Sequence, residues 1–202
     1  MTPNRAIPRT RLVLWGAVAL GLVVVLALAF GSGAFRGKAP TSDVGGAFSL
    51  VDQTGRPVTE KVLNGQWNMV FFGFTYCPDI CPGTLQNLIR VKDQLGPKGK
   101  DVRIVFISID PGRDRPKAIA DWLEANGAPE GTLGLTGTQE EVSRAVKAYK
   151  AVAIKVGDGP DYTMDHSTVV YLMNPRGQFD RALPYRLPDE IVTQVTAAKR
   201  GD

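Results

Sequence analysis

Cysteine and histidine are scarce in this 202-residue chain, which contains two cysteines and one histidine. The two cysteines allow no more than one disulfide within the chain. A zinc site usually has four ligands and would need one more besides these three, which an acidic residue could supply. Thiol chemistry, or metal binding by cysteine and histidine, must therefore use Cys77, Cys81 and His166.

Net charge is nearly absent from most of the chain, although the sequence pI is about 9.1. Five of the 24 Lys and Arg residues lie in the first 38 residues, which contain no Asp or Glu. Residues 39–202 then carry 19 basic residues against 20 acidic ones. This near-neutral balance gives no support for nucleic-acid binding. Internal repeats and low-complexity tracts are also absent from the sequence.

One long apolar run stands near the N-terminus. Leu12–Phe30 contains 19 residues without a charge, about the length of a helix that crosses a bilayer. Arg5, Arg9 and Arg11 precede this run, and no acidic residue accompanies them. By the positive-inside rule, residues 1–11 are expected in the cytoplasm and the rest of the chain outside it.

A cleaved signal peptide is the alternative for this run, because Ala27–Ala29 has the small-x-small spacing of a cleavage site. Residues 31–45 are rich in glycine and other small residues and are predicted to form a flexible tether. Residues 46–202 are long enough for one domain with its own core. We predict a single-pass protein of a bacterial inner membrane, with this C-terminal domain in the periplasm.

Residues 46–202 show apolar runs typical of strands, alternating with helical patterns. The predicted strands are Asn68–Phe74, Ile104–Ile107 and Thr168–Met173. Helical patterns begin near Pro82, Pro116, the capping-box pair Thr138 and Glu141, and Pro188, the last of them running to about Lys199.

Two hairpins complete the pattern, one turning at Asp52–Pro57 and the other at Asn174–Gly177. A βαβ unit followed by a β-hairpin and a helix is the thioredoxin topology. We therefore predict an α/β, thioredoxin-like fold. Its central mixed sheet is flanked by helices, with an N-terminal hairpin and an inserted helix added.

The two cysteines lie four residues apart in Cys77–Pro82 (CPDICP). Proline suits the first position of a helix, so we predict a helix that begins at Pro82 with Cys81 at its cap. The partial positive charge of a helix N-terminus favours thiolates, which bind metals and attack disulfides. A structural disulfide is the alternative, although a loop this short would stabilise the fold only modestly.

The lone histidine precedes the predicted strand Thr168–Met173. In a thioredoxin-like sheet this strand runs antiparallel to Asn68–Phe74, so His166 should return to the edge where the cysteines lie. Asp110, at the end of its own strand, should reach the same edge.

Two thiolates and one neutral imidazole suit copper(I) and also tolerate copper(II). Zinc stays open as an alternative if Asp110 or Asp165 supplies a fourth ligand. We expect these acids, and Asp79, to orient His166 or to face a partner instead. The thioether of Met164 is close in sequence to His166, and we expect it to pack rather than bind metal.

Three segments carry a family resemblance: Phe71–Pro82 (FFGFTYCPDICP), Ser108–Asp114 (SIDPGRD) and Asp165–Ser167 (DHS). With their order and spacing, the chain resembles the Sco/SenC family of cytochrome oxidase assembly factors over about Gly46–Lys199. Met164 stands where the family usually has valine, and Asn174 where it often has aspartate; neither change removes a ligand.

The resemblance implies a thioredoxin-like fold and a copper site made by Cys-x3-Cys and a histidine. It also implies action on the binuclear copper centre of cytochrome c oxidase subunit II, with an upstream copper donor as a further partner. A metallochaperone would deliver copper there, whereas a thiol:disulfide reductase would use Cys77 and Cys81 as a catalytic redox pair on the target's cysteines. His166 favours the chaperone, because dithiol exchange does not need it. A thiol peroxidase is a weaker reading, since no Arg and Thr can be placed around one cysteine.

We predict that a fragment beginning at Ser42 is soluble and unfolds cooperatively, because every strand and helix signal begins after the tether. Thermal unfolding followed by circular dichroism would check this. An insoluble fragment, or one that melts without a cooperative transition, would place the domain boundary elsewhere.

Overall fold

The computed structural model describes residues 43–201, together with Trp15 and Gly21. By its internal contacts the chain divides into two units, Met1–Pro40 and Thr41–Asp202. Every strand and helix described below belongs to the second unit.

The predicted cytoplasmic segment 1–11, the anchor Leu12–Phe30 and most of the tether 31–45 lie outside the described residues, Trp15 and Gly21 excepted. Within the described part of the chain, no helix is both long enough and apolar enough to span a membrane.

Strands and helices alternate through the domain. The strands are β1 Ser49–Asp52, β2 Pro57–Thr59, β3 Trp67–Gly73, β4 Val102–Ser108, β5 Leu133–Thr136, β6 Ala153–Val156, β7 Thr163–His166, β8 Val170–Met173 and β9 Phe179–Leu183. The α-helices are α1 Ile80–Leu95, α2 Pro116–Ala125, α3 Gln139–Ala148 and α4 Pro188–Arg200. Short 3-10 helices occupy Glu60–Leu63 and Gly96–Gly99.

Seven strands form one mixed sheet in the order β2-β1-β5-β4-β3-β8-β9. Strands β3, β4 and β5 are parallel neighbours, whereas β8 pairs with β3 in the antiparallel sense. The unit β3-α1-β4, followed by the hairpin β8-β9 and α4, confirms the predicted thioredoxin-like α/β fold. The predicted N-terminal hairpin is β1-β2. Strands β6 and β7 pair only with each other, as a separate two-stranded sheet.

The central strands β3 and β4 are buried on both faces, as expected for parallel strands covered by helices. Because side chains alternate along a strand, Val70 and Phe72 enter one core layer, while Met69 and Phe71 enter the other. The second layer packs against α1 and α4, and the first contains Tyr149 at the end of α3.

The helix starts follow local chemistry. Helix α3 begins with the predicted capping box, in which Thr138 and Glu141 each bond the other's backbone N–H. The predicted start of α1 at Pro82 is wrong by two residues, since the helix begins at Ile80 with Asp79 at its cap. Backbone N–H groups of the first turn have no intrahelical acceptor, so proline is tolerated at its third position too.

Two features of the sheet were not predicted. Strand β5 is short and contains Gly134, where a side chain would lie 2.2 Å from Ile119 in α2. Close packing therefore selects a glycine that weakens the strand signal in the sequence. The hairpin β6-β7 precedes β8 and is largely exposed. Strand β8 begins at Val170 and not at the predicted Thr168.

Candidate metal centre

The two cysteines and the histidine reach one edge of the sheet from opposite directions. Strands β3 and β4 are parallel and end side by side at Gly73 and Ser108. Because β8 runs antiparallel to β3, with Val170 opposite Phe71, the residues before β8 lie at that same edge. Cys77 and Cys81 follow β3 and His166 ends β7 just before β8, so the structure brings the three residues together.

The three side chains form a group that is positioned to bind a metal ion. Their ligand atoms, the two Sγ atoms and one imidazole nitrogen, all lie within 4.8 Å of one another. Cys81 Sγ is 3.5 Å from His166 Nε2, and both cysteines are free thiols. No other cluster of this kind occurs among residues that the structure describes.

The histidine ring is held in the orientation that a metal ligand needs. His166 Nδ1 lies 2.9 Å from the carbonyl oxygen of Ser167, and a carbonyl oxygen can only accept a hydrogen bond. Nδ1 therefore carries hydrogen, and Nε2 is the ring nitrogen that faces the two sulfurs. The ring of Phe74 packs edge-on against the imidazole, at 5.9 Å between centroids.

The two thiols have opposite acidities. The Cys81 thiol, and the Cys81 N–H at 3.3 Å, donate hydrogen bonds to Cys77 Sγ and lower the pKa of Cys77 to about 4. The same hydrogen bond, together with burial, raises the pKa of the Cys81 thiol. Without metal, the pair is thus a thiolate at Cys77 and a thiol at Cys81 around neutral pH.

The predicted acidic neighbours lie in different environments. Asp79 and Asp165 are exposed, and with Cys77 and His166 they line an open cleft of about 300 Å³. Asp110 is buried in an ion pair outside the metal-binding group. Met164 also lines the cleft and packs against the core, as expected.

Comparison with known proteins assigns this arrangement to a family. The model of the SCO1/SenC family matches residues 36–199. The chain belongs to the SCO1/SenC family. Relatives include the human mitochondrial Protein SCO1 homolog, which is 41% identical in a 143-residue alignment that covers 67% of this chain and 46% of that protein. Protein SenC of Rhodobacter capsulatus is 39% identical over 75% of this chain and 70% of its own length.

The chain spans about half the length of the mitochondrial relatives that it matches. Among solved structures, Arabidopsis thaliana ScoI with copper bound superposes with a TM-score of 0.74 at 36% identity. That match covers 79% of this chain and 99% of the Arabidopsis chain. Copper also suits the donor set found here, since two sulfurs and one imidazole form a soft site of low coordination number.

In this SCO1/SenC protein, Gly73 allows Cys81 to approach the end of β3. A side chain at Gly73 would place its Cβ 2.6 Å from Cys81 Sγ and 3.1 Å from the ring of Phe106. No Cβ comes that close to a sulfur without displacing it. The glycine of the FFGFTYC segment is therefore required by the position of the second sulfur.

Asp114 is a positioning residue that the sequence analysis did not identify. Its fully buried carboxylate accepts hydrogen bonds from the Thr75 N–H at 3.0 Å and the Thr75 hydroxyl at 2.6 Å. The Ser108 hydroxyl donates to it as well, at 2.6 Å, and burial raises the pKa of Asp114. The carboxylate thus joins the loop before Cys77 to the end of β4. The sequence did contain a signal for this role: Thr75 and Ser108 lie at the ends of two adjacent strands, and an acid follows shortly after the second.

A second polar cluster attaches the hairpin β6-β7 to the loop after β4. Arg113 Nε lies 2.5 Å from Asp110, and the Tyr162 hydroxyl donates to the same carboxylate at 2.5 Å. Arg113 also donates to the Tyr162 carbonyl, and its guanidinium lies 3.7 Å from the Tyr162 ring and 4.6 Å from that of Tyr76. The position of Asp110 at this edge was predicted from the sequence, whereas the roles of Arg113 and Tyr162 were not.

Replacing Gly73 by alanine should disturb the metal-binding group, because the added Cβ would displace Cys81 Sγ. We expect Gly73→Ala to lower the free energy of unfolding by about 1–3 kcal/mol, the usual cost of overpacking, and to weaken copper binding. Urea unfolding and copper competition with a chelator would measure both. Gly83→Ala in α1 is the matched control, because no atom lies within 4 Å of its added Cβ. Equal effects of the two substitutions would contradict this account.

Alkylation of the metal-free, reduced protein should be selective for Cys77 and persist in mild acid. The thiolate is the reactive form, and the pKa of Cys77 near 4 keeps it deprotonated until the pH falls through that value. Iodoacetamide labelling from pH 3 to 9, followed by mass spectrometry, would give the midpoint for Cys77 and should leave Cys81 largely unlabelled. A midpoint for Cys77 near that of an ordinary thiol, about 8.5, would contradict the assigned hydrogen bonds.

Proposed function

We propose that this protein is a copper metallochaperone that holds copper through Cys77, Cys81 and His166. It delivers the copper to the binuclear copper centre of cytochrome c oxidase subunit II. One observation carries the proposal: two sulfurs and a correctly oriented imidazole nitrogen lie within 4.8 Å of one another, at the wall of an open cleft. Membership of the SCO1/SenC family and the copper-bound ScoI structure support it.

The chemistry of the three metal-binding residues suits a copper ion that must be held and then released. Two thiolates and an imidazole satisfy copper(I) with three ligands, and copper(II) accepts the same donors. In the described part of the chain, no carboxylate joins the group, which favours copper over zinc. Loading would remove the proton from Cys81, whereas Cys77 is already a thiolate.

A thiol:disulfide reductase is the second candidate, and the contrasting acidities of the cysteines favour it. The Cys77 thiolate would attack a disulfide of the target and form a mixed disulfide, releasing one target thiolate. Cys81 would then lose its proton and displace the second target thiolate. The target gains two electrons, and this protein is left with a Cys77–Cys81 disulfide. His166 forms no covalent bond in this exchange.

The charge pattern near the N-terminus supports a location at the membrane. We propose that residues 1–11 lie in the cytoplasm, 12–30 form a membrane anchor, 31–45 form a tether and 46–202 form the copper-binding domain. The domain would work in the periplasm of a bacterium, attached to the inner membrane, where an upstream copper donor loads it. Exposed Asp79 and Asp165 would face these partners, whereas Asp110 holds the hairpin through Arg113.

The substitution His166→Ala separates the two candidates. It removes one copper ligand and leaves both sulfurs and the disulfide that they can form. Copper affinity should fall by about 30- to 1,000-fold, which corresponds to about 2–4 kcal/mol. The reduction potential of the cysteine pair should change much less, because it depends on the thiols. Chelator competition and redox titration would measure the two quantities.

Cells provide the second measurement for the same variant. Oxidase activity in a His166→Ala strain should resemble that of a deletion strain at low copper and recover in part when copper is added. A Cys81→Ser strain, which lacks both functions, is the control. Full oxidase activity in the His166→Ala strain at low copper would reject the chaperone and favour the reductase.

A further inference from the structure

A second cleft of about 800 Å³ is larger than the copper cleft and contains none of the three metal-binding residues. One wall is α3 and the other is the hairpin β6-β7, while Ile109 and Gly112 lie between them. Met164, in β7, lines both clefts. A molecule seated in the larger cleft would therefore touch the hairpin that carries His166. We call this cleft the lysine groove.

The groove offers apolar surface to a partner. Val142 and Val146 of α3 line it from one side. On the opposite side, Val152 is 47% exposed and Ile154 is 57% exposed. The groove thus presents apolar side chains from both walls to solvent.

Three lysines, Lys147, Lys150 and Lys155, also line the groove, and all three are exposed. Within the described residues, Lys147 and Lys155 make no ion pair, although Lys155 Nζ lies 4.1 Å from the centre of the Tyr162 ring, and Lys150 has only a 3.9 Å contact with exposed Asp43. The single carboxylate of the lining, Asp110, is already paired with Arg113. An otherwise near-neutral domain therefore concentrates unpaired positive charge here.

Strand β6 adds a third property. It pairs with β7 on one side, and no strand of the described chain pairs with its other edge. Three consecutive β6 residues, Ala153, Ile154 and Lys155, line the groove. An unpaired strand edge can accept an extended peptide as an added strand, which places alternate side chains of the peptide in the groove.

We propose that the lysine groove docks an extended acidic segment, with alternating apolar side chains, of the protein that receives the copper. The inference rests on the proposed function for the identity of that receiver. The charge, the apolar walls and the open strand edge all match this occupant. Residues 31–42 of the chain itself do not, since they contain Arg36 and Lys38 and no acid. A concave groove also suits a chain segment better than a bilayer surface.

The first test uses the full chain in neutral detergent and a fluorescein-labelled peptide of alternating acidic and apolar residues, read by fluorescence anisotropy. We expect binding that weakens with added salt, and none for the same peptide with lysines in place of its acids. The triple substitution K147E/K150E/K155E should weaken binding at least tenfold, and Ile154→Ser should weaken it as well.

The matched control is K61E/K98E/K100E, which reverses three exposed lysines located before β3 and β4 begin, at the opposite edge of the sheet. It should leave peptide affinity within twofold. Equal peptide binding by both triple variants would overturn the proposal. The proposal would also be overturned if the groove bound anionic phosphatidylglycerol vesicles but not the peptide. Self-association of the protein that the groove variant abolishes would overturn it as well.

The second test measures copper transfer to the soluble domain of oxidase subunit II. The groove variant should keep its copper affinity but transfer at least tenfold more slowly, and only the unsubstituted protein should show strong salt dependence. Equal transfer rates would overturn the groove as the docking site while leaving the proposed function intact. Absence of transfer by the unsubstituted protein would overturn the delivery function, and the peptide measurement would still decide the chemistry of the groove.

Discussion

The antiparallel pairing of β8 with β3 is the constraint on which the metal-binding group depends. The two sulfurs come from a loop that leaves β3, and the imidazole comes from a segment 85 residues later in the chain. Only the register that places Val170 opposite Phe71 returns that segment to the end of β3. A shift by one residue would turn the buried side chains of β8 to the opposite face, so core packing on both faces of the sheet fixes the position of His166.

Two clusters of polar side chains also hold the loops around the metal-binding group in place. Asp114 holds the loop before Cys77 to the end of β4, and the Asp110–Arg113–Tyr162 cluster holds the hairpin to the loop after β4. Both clusters are buried or nearly so, where an unpaired polar group costs most, so each favours one arrangement of its loop. Arg113 still leaves Nη2 without an acceptor among the described residues. The metal-binding group is thus supported by residues that do not belong to it.

The sequence predicted those structural features that depend on residues close together in the chain. The buried strands β3 and β4, the capping box of α3 and the βαβ order were all readable because each follows from local hydrophobicity or spacing. Strand β5 and the hairpin β6-β7 were missed, since Gly134 is selected by contact with α2 and the hairpin is mostly exposed. The roles of Asp114 and Tyr162 depend on contacts across 39 and 52 residues, which no local pattern reveals.

The two sulfurs differ in burial, so the metal-binding group has one side that faces the cleft and one that faces the core. Cys77 and His166 line the open cleft, whereas Cys81 does not, and its side chain is only 1% exposed beneath them. Gly73 and the core occupy the space behind Cys81. Within the described residues, the cleft therefore gives access to the metal-binding group from the side of Cys77 and His166. In the proposed transfer, an incoming donor atom would meet these two ligands first, and Cys81 would be the last of the three to release the ion.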